Sequence, residues 1–266
     1  MKQKSKYIWL TDTHITTPFD RRKVLNIILD EASKGVFHTG DISQSGLTAI
    51  SDLEYIGKNI NCPFYFNLGN HCIWFSSFQE IYKKVRELCK QYKNLIWMED
   101  EGVISLNEET ACIGVEGWYD ARVGDSRYLT YTLDWIFIKE LRDLPTMKHR
   151  IEMFQSMAEQ SAKKAVAKLE KAIETHKTIF CLTHYPTVRS ANRSDGWLPE
   201  KFWEPYNCNL ILGEELEKVM EKHKKRNLIL LTGHIHTPST TIKRNVECRV
   251  GRGSYYKISE DETIYI

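Results

Sequence analysis

Five apolar runs in this chain each end on a residue that can ligate a cation. Tyr7-Ile8-Trp9-Leu10 leads into Asp12-Thr13-His14, the run from Val36 into Gly40-Asp41, and the run from Pro63 to Leu68 into Gly69-Asn70-His71. Further on, the run from Thr178 to Leu182 meets Thr183-His184, and the run from Leu228 to Leu231 meets Thr232-Gly233-His234-Ile235-His236. Short β-prone runs, apolar on both faces, suit strands buried inside a parallel sheet. If strand geometry persists to residue 14, its period of two turns Asp12 and His14 to one side. Carboxylates and imidazoles at the ends of buried strands are penalised unless something positive is held there. In open α/β sheets that carboxyl edge is where ligands bind.

Helical patterns separate the first runs. Val24, Ile27 and Ile28 mark a helix over residues 21–33 after a loop at Pro18–Phe19, and Leu47, Ile50, Leu53 and Ile56 mark another over 47–59. Two successive β-α-β units predict a parallel sheet. Asp12, Asp41 and Asn70 are evenly spaced, which is one β-α unit per cluster. A helix over 76–92 follows, then short runs at 95–98, 103–106 and 111–116 that read as antiparallel strands of a second sheet region. Residues 147–176 carry apolar side chains at steps of three and four, a helix about 40 Å long at 1.5 Å per residue. Residues 213–225 read as a helix with a basic end, and 240–266 as three short strands. Two irregular stretches rich in Trp, Tyr and Arg, 117–145 and 185–209, are expected to lie over a site. No linker or low-complexity segment divides residues 1–266, which read as one domain.

Composition excludes several classes. A net charge of +2 is too mild for a nucleic-acid-binding surface, and no apolar run is long enough to span a bilayer. The seven cysteines are scattered and odd in number, which reads as reduced thiols packed in a cytoplasmic protein rather than a disulfide framework. The chain enters a strand after six residues, so no signal peptide is expected.

Taken singly, each cluster is a weak signal. The ordered set Asp12-x-His14, Gly40-Asp41, Gly69-Asn70-His71, His184 and Gly233-His234-x-His236 resembles the calcineurin-like metallophosphoesterase superfamily, from residue 6 to residue 236. The resemblance implies a four-layer α-β-β-α sandwich, two mixed β-sheets flanked by helices with the ligand loops at one edge. It also implies two transition-metal ions, of the Mn, Fe, Zn, Co or Ni type. Asp12, His14 and His236 would hold one ion and Asn70, His184 and His234 the other, with Asp41 bridging. A bridging hydroxide would attack the phosphorus of a small phosphate ester, diester or monoester. His71 is implied as a residue outside the ligand set that protonates the leaving alkoxide or stabilises the transition state.

The chain departs from the family pattern at Cys72, where an acid usually follows the Asn-His pair. Cys72 reads as a small packed hydrophobe, with an extra metal ligand as the alternative. Ser43-Gln44-Ser45 lacks the substrate-gripping arginine that some members place there. Candidates for substrate contact are Trp118, Asp120, Arg122, Tyr185, Arg189 and Arg193, with Tyr119 beside them. His38, His149, His176 and His223 read as structural. Two other functions compete: a metal-dependent nuclease, disfavoured by the weak charge, and a scaffold that kept the fold but lost its metals, disfavoured by seven retained ligands.

Overall fold

A computed structural model of the chain describes residues 4–30, 33–125, 127, 132–191, 204–253 and 262–266. In chain order β1 (Lys6–Leu10), α1 (Pro18–Asp30), β2 (Gly35–Thr39), α2 (Gly46–Asn59), β3 (Phe64–Asn67), α3 (Phe78–Gln91) and β4 (Leu95–Trp97) alternate. Then come β5 (Ile104–Ser105), β6 (Thr110–Gly114), two single-turn helices α4 (Asp134–Phe137) and α5 (Lys139–Arg142), and the long α6 (Met147–Thr175). The chain continues through β7 (Thr178–Leu182), α7 (Leu210–Lys222), β8 (Asn227–Thr232), β9 (Ser239–Lys243), β10 (Val246–Val250) and β11 (Glu262–Tyr265).

These strands form two mixed sheets, ordered β11-β1-β2-β3-β4 and β5-β6-β7-β8-β10-β9. In the first, β1 to β4 run parallel and β11 closes the edge antiparallel to β1. In the second, β6, β7, β8 and β10 run parallel, with β5 and β9 antiparallel at the edges. The expectation of antiparallel strands over 95–116 is half corrected, because β4 joins the first sheet in parallel. Periodicity cannot tell which sheet takes such a short run; the choice follows from α3, which packs against β4 and returns the chain in register with β3.

Strand alternation builds three apolar layers. Tyr7, Trp9, Phe37 and Tyr65 face inward against Phe180, Leu182 and Leu231, joining the two sheets. Ile8, Leu10 and Val36, on the opposite face, pack under Val24, Ile28, Leu53, Ile56, Ile81 and Val85 of α1, α2 and α3. On the second sheet Ile113, Ile179, Cys181 and Leu230 lie under Ala162, Leu169, Leu216 and Met220 of α6 and α7. The order of layers is helix, sheet, sheet, helix. Each fully buried Leu, Ile or Phe contributes roughly 1.5–3 kcal/mol, so both sheets are firmly fixed and their strand ends share one edge.

Helix α1 starts earlier than the sequence suggests. Pro18 is its first residue, not part of a loop, since proline at that position forfeits no intrahelical bond. The Asp20 carboxylate accepts from the backbone N–H of Thr16 and Thr17 and from both hydroxyls, ordering the turn that leads out of His14. All seven cysteines are free thiols. Among the described residues no helix is long and apolar enough to cross a membrane.

Candidate metal centre

The loops at the shared edge are knitted by backbone bonds. Asp12 N–H donates to Gly40 O at 2.9 Å, His14 N–H to Asp41 O at 2.9 Å, Asp41 N–H to Leu68 O at 2.7 Å and Gly233 N–H to His184 O at 2.8 Å. Strand geometry does not extend to residue 14: β1 ends at Leu10. Asp12, His14, Asp41, His234 and His236 instead have positive φ of 47°, 41°, 52°, 72° and 54°. Left-handed conformations at non-glycine residues each cost on the order of 1–3 kcal/mol and persist where the surroundings over-determine them. The side chains therefore converge by kinks in the loops rather than by the two-residue period of a strand.

The convergence is tight. The groups Asp12–His14–His236, Asp41–His184–His234 and His14–Asp41–His71 each place their ligand atoms within 4.8 Å of one another. His14 Nε2 lies 3.1 Å from His236 Nε2, and His236 Nε2 3.2 Å from Asp12 Oδ1. His184 Nε2 lies 3.4 Å from Asp41 Oδ2 and 3.2 Å from Asn70 Oδ1. Asp12, His14, Asp41, Asn70 and His184 are all buried. Carboxylate oxygens, an amide oxygen and imidazole nitrogens together suit borderline transition metals.

Partners behind several of these candidate ligands fix which atom each presents. His184 Nδ1 is 2.9 Å from Thr39 O, and a carbonyl only accepts, so Nδ1 donates there and Nε2 is the nitrogen turned towards Asp41. His234 Nε2 likewise donates to Tyr206 O at 3.0 Å, leaving Nδ1 for the centre. Asn70 Nδ2 donates to Asp134 Oδ1 at 2.9 Å, which turns Oδ1 inward. Asp41 accepts the His71 N–H on Oδ1 at 2.9 Å, leaving Oδ2 free to face the imidazoles. Such outer partners orient ligands and tune the metal.

The electrostatics match. Burial would raise Asp12, but the charge and hydrogen bond of His236, with His184 and His14, hold it well below the usual carboxylate range. Burial would also raise Asp41, and His184 and His71 hold it low. His184 is pushed up to about 9 because the Asp41 charge and hydrogen bond overcome burial. Burial pulls His14 and His234 down to about 3, so they are neutral imidazoles with available lone pairs. Two permanent carboxylates stand among two neutral imidazoles, His14 and His234, and two others, His184 and His236, that those carboxylates keep protonated and that would yield a proton to a cation.

The sequence of residues 5–238 matches the family model of the calcineurin-like phosphoesterases. The chain belongs to this family. Its fold is similar to that of the phosphopantetheinyl hydrolase from Mycobacterium tuberculosis, with a TM-score of 0.68 at 13% identity over 94% of this chain and 89% of that one. It is also similar to a dimetal phosphatase from Danio rerio, with a TM-score of 0.57 at 11% identity over 95% and 88% of the two chains. A third similar structure, GAP50 of Plasmodium, described as the anchor in the inner membrane complex, has a TM-score of 0.52 at 12% identity over 98% and 77%. No curated protein matches the sequence. Membership makes this chain a metal-dependent hydrolase of phosphate esters.

In this phosphoesterase His71 sits beside the ligands. Its Nδ1 lies 2.8 Å from Gln44 Oε1, and its Nε2 points at the centre, 3.9 Å from Asp41 Oδ2. Cys72 is fully buried, with its thiol pushed well above the ordinary range by burial and then by Asp41; it packs against Ser43 O and offers no thiolate. Gln44 thus supplies the support that an acid after the Asn-His pair would have been expected to give. His38 is structural: its Nδ1 accepts from Gly40 N–H, and its Nε2 lies 3.1 Å from Thr13 Oγ1.

The substrate-contact candidates divide. Tyr185 lies against the centre, its ring 4.2 Å from that of His234. Trp118 is buried between Phe78, Phe154 and Tyr185, a core position. Asp120 is likewise buried, accepting from Ile211 N–H at 3.0 Å at the start of α7 and from Arg122 N–H. Aromatic packing and helix capping engage these two side chains. Arg122 pairs with Glu159 of α6 at 2.6 Å, and the exposed Arg189 faces Glu204 at 3.9 Å. Arg193 lies outside the described residues.

Sequence reasoning missed Asp134 and Glu116. Asp134 holds both Asn70 and, through Trp74 Nε1 at 2.7 Å, the indole beside His71. It lies in a stretch without periodicity, where no local signal marks it. Glu116 accepts from Leu68 N–H, Gly69 N–H and Trp97 Nε1, anchoring the loop before Asn70. It stands just after an apolar run, the same pattern that revealed the ligands.

Proposed function

We propose that this chain hydrolyses small phosphate esters at a two-metal centre. Asp12, His14 and His236 would hold one ion, Asn70, His184 and His234 the other, and Asp41 would be shared. The observation that supports this reading is that His184, His234 and Asn70 are each held from behind, which turns a ring nitrogen or the amide oxygen of each towards the buried carboxylates. Bound ions supply charge neutralisation at the phosphoryl group and a nucleophilic water at neutral pH. The chain's own residues do the rest. The Asp41 carboxylate, held by the His71 N–H, keeps the two halves in register. His71, with Nδ1 engaged by Gln44, directs Nε2 to the ester oxygen that departs. Burial holds its imidazole below the usual range against the pull of Asp41 and Asp134; the negative charge of an arriving phosphate ester favours the imidazolium that the step requires. The bond from phosphorus to the leaving oxygen breaks, a bond from the water oxygen forms as the water gives up a proton to solvent, and the leaving oxygen departs as an alcohol carrying a proton from Nε2, which His71 regains from solvent.

The test is a pair of variants. Asp41→Ala is expected to lose metal, by elemental analysis, together with turnover. His71→Ala is expected to keep its metal and lose about 10²–10⁴-fold in rate on alkyl esters, and less on p-nitrophenyl phosphate, whose leaving group needs no proton. Full metal content in Asp41→Ala would sink the shared-ligand reading, and an unaltered alkyl-ester rate in His71→Ala would sink the acid role.

A further inference from the structure

A ladder of rings leads from His71 to the surface. The His71 and Trp74 rings stack with centroids 3.5 Å apart, Trp74 meets Phe137 edge-on at 5.3 Å, and Phe137 lies 4.3 Å from Phe75. The ladder begins at a buried imidazole and ends at Phe75, which is 61% exposed. Ile136 and Leu133 are exposed beside it. Leu47 is also exposed, one residue from Gly46, whose N–H is bonded to Trp74 O. The stretches 71–78 and 132–138 carry no charged side chain except His71 and the buried Asp134. An uncharged, partly aromatic ridge therefore adjoins the centre.

The ridge is rigid and strained. Trp74 is pinned by its indole N–H on Asp134 and by its carbonyl on Gly46. Phe75 has φ of +60°, an outlier for a bulky side chain, and its N–H is held by Phe137 O at 2.9 Å. Phe75 keeps this backbone while its ring, against Phe137, stays largely in solvent, so the outlier points to a contact made in function.

We infer that the ester's leaving group is a large apolar or aromatic alcohol that lies along Trp74, Phe137, Phe75 and Ile136. The inference rests on the proposed role of His71: if Nε2 faces the departing oxygen, the group attached to that oxygen meets the ring stacked on His71. A polar or short leaving group leaves the ridge in water, whereas an octyl chain or a naphthyl system covers it.

The experiment measures kcat/KM of the metal-loaded protein, with metal content checked, for n-butyl, n-octyl, phenyl and 2-naphthyl phosphate. Octyl over butyl, naphthyl over phenyl, or both, is expected to be favoured by about tenfold or more; the pair that responds tells alkyl from aryl recognition. In Phe75→Asn with Ile136→Ser that preference is expected to fall towards unity. Asparagine tolerates positive φ, so the variant keeps its backbone, which the melting temperature verifies. Ile242→Ser, exposed on β9, is expected to keep the wild-type preference. Hydrolysis of all four esters at similar efficiency, or a preference the double variant does not move, would overturn the inference and leave the hydrolase reading standing. Ridge-dependent binding to phosphatidylcholine vesicles with a flat ester series would overturn it in favour of a membrane-facing surface. Absence of turnover on every ester by metal-replete protein would defeat the hydrolase reading itself.

Discussion

Replacing Asp134 tests how the centre is held. Its Oδ1 accepts from Asn70 Nδ2 at 2.9 Å and Trp74 Nε1 at 2.7 Å, and its Oδ2 from Thr132 Oγ1 at 3.1 Å. Asp134→Ala strands two N–H donors in or beside a dry site, at about 1–3 kcal/mol each, so about 2–6 kcal/mol of stability is at stake. The released Asn70 amide can also rotate, presenting N–H instead of oxygen to the cation, and loss of such an outer partner lowers metal affinity about 10–100-fold. Asp134→Asn separates geometry from charge. Its oxygen can still receive both donors, and its amide nitrogen meets a Thr132 hydroxyl that can accept, so metal affinity is expected to stay within a few-fold of wild type. Urea unfolding of chelator-treated protein reads the stability term, and calorimetric titration with Mn²⁺ reads the affinity. Wild-type affinity in Asp134→Ala would refute the orienting role. Equal losses in the Asn and Ala variants would show that the charge matters rather than the hydrogen bonds.

Other perturbations follow from the same geometry. Gly69 has φ of +77°, and a Cβ there would lie 2.6 Å from Asp41 N and collide with Asp41 Oδ1; Gly69→Ala is expected to displace the shared carboxylate and lose metal, checked by elemental analysis. Gln44→Met removes the acceptor on His71 Nδ1 and is expected to lower kcat about tenfold or more with unchanged metal content; a larger change in KM than in kcat would refute a role in aiming the imidazole. Glu116 is raised from an ordinary 4.5 to about 7 by burial and then by Glu99. The folded state therefore keeps this proton longer than the unfolded one, and its contribution falls as pH rises from about 4.5 to 7, by at most about 3 kcal/mol at 1.36 kcal/mol per unit. Unfolding of the metal-free protein across that window should show this fall, and Glu116→Gln should show a flatter slope; identical slopes would discard it.

The chemistry of this protein was written in its sequence more fully than its geometry. Apolar runs mark buried strands because water drives them inward, and a charged or imidazole side chain just beyond each run must then lie at a strand end. That reasoning put Asp12, His14, Asp41, Asn70, His184, His234 and His236 just beyond strand ends, where the fold brings them together, and it placed α6 over residues 147–175 almost to the residue. It also rightly kept His38 and Cys72 among packed residues. Tertiary structure decided what local pattern cannot encode. The ligands converge through left-handed turns held by bonds between loops distant in sequence, not by the two-residue period of a strand. Asp134 reaches Asn70 from 64 residues away, and β4 chose the first sheet because α3 carried it there. Trp118 and Asp120, named for substrate contact by their type and place, lie in the core and at the start of α7. Local sequence sets which side chains must be buried or satisfied; only the packed chain sets which partner satisfies them, because those partners meet across loops whose closure no short window records.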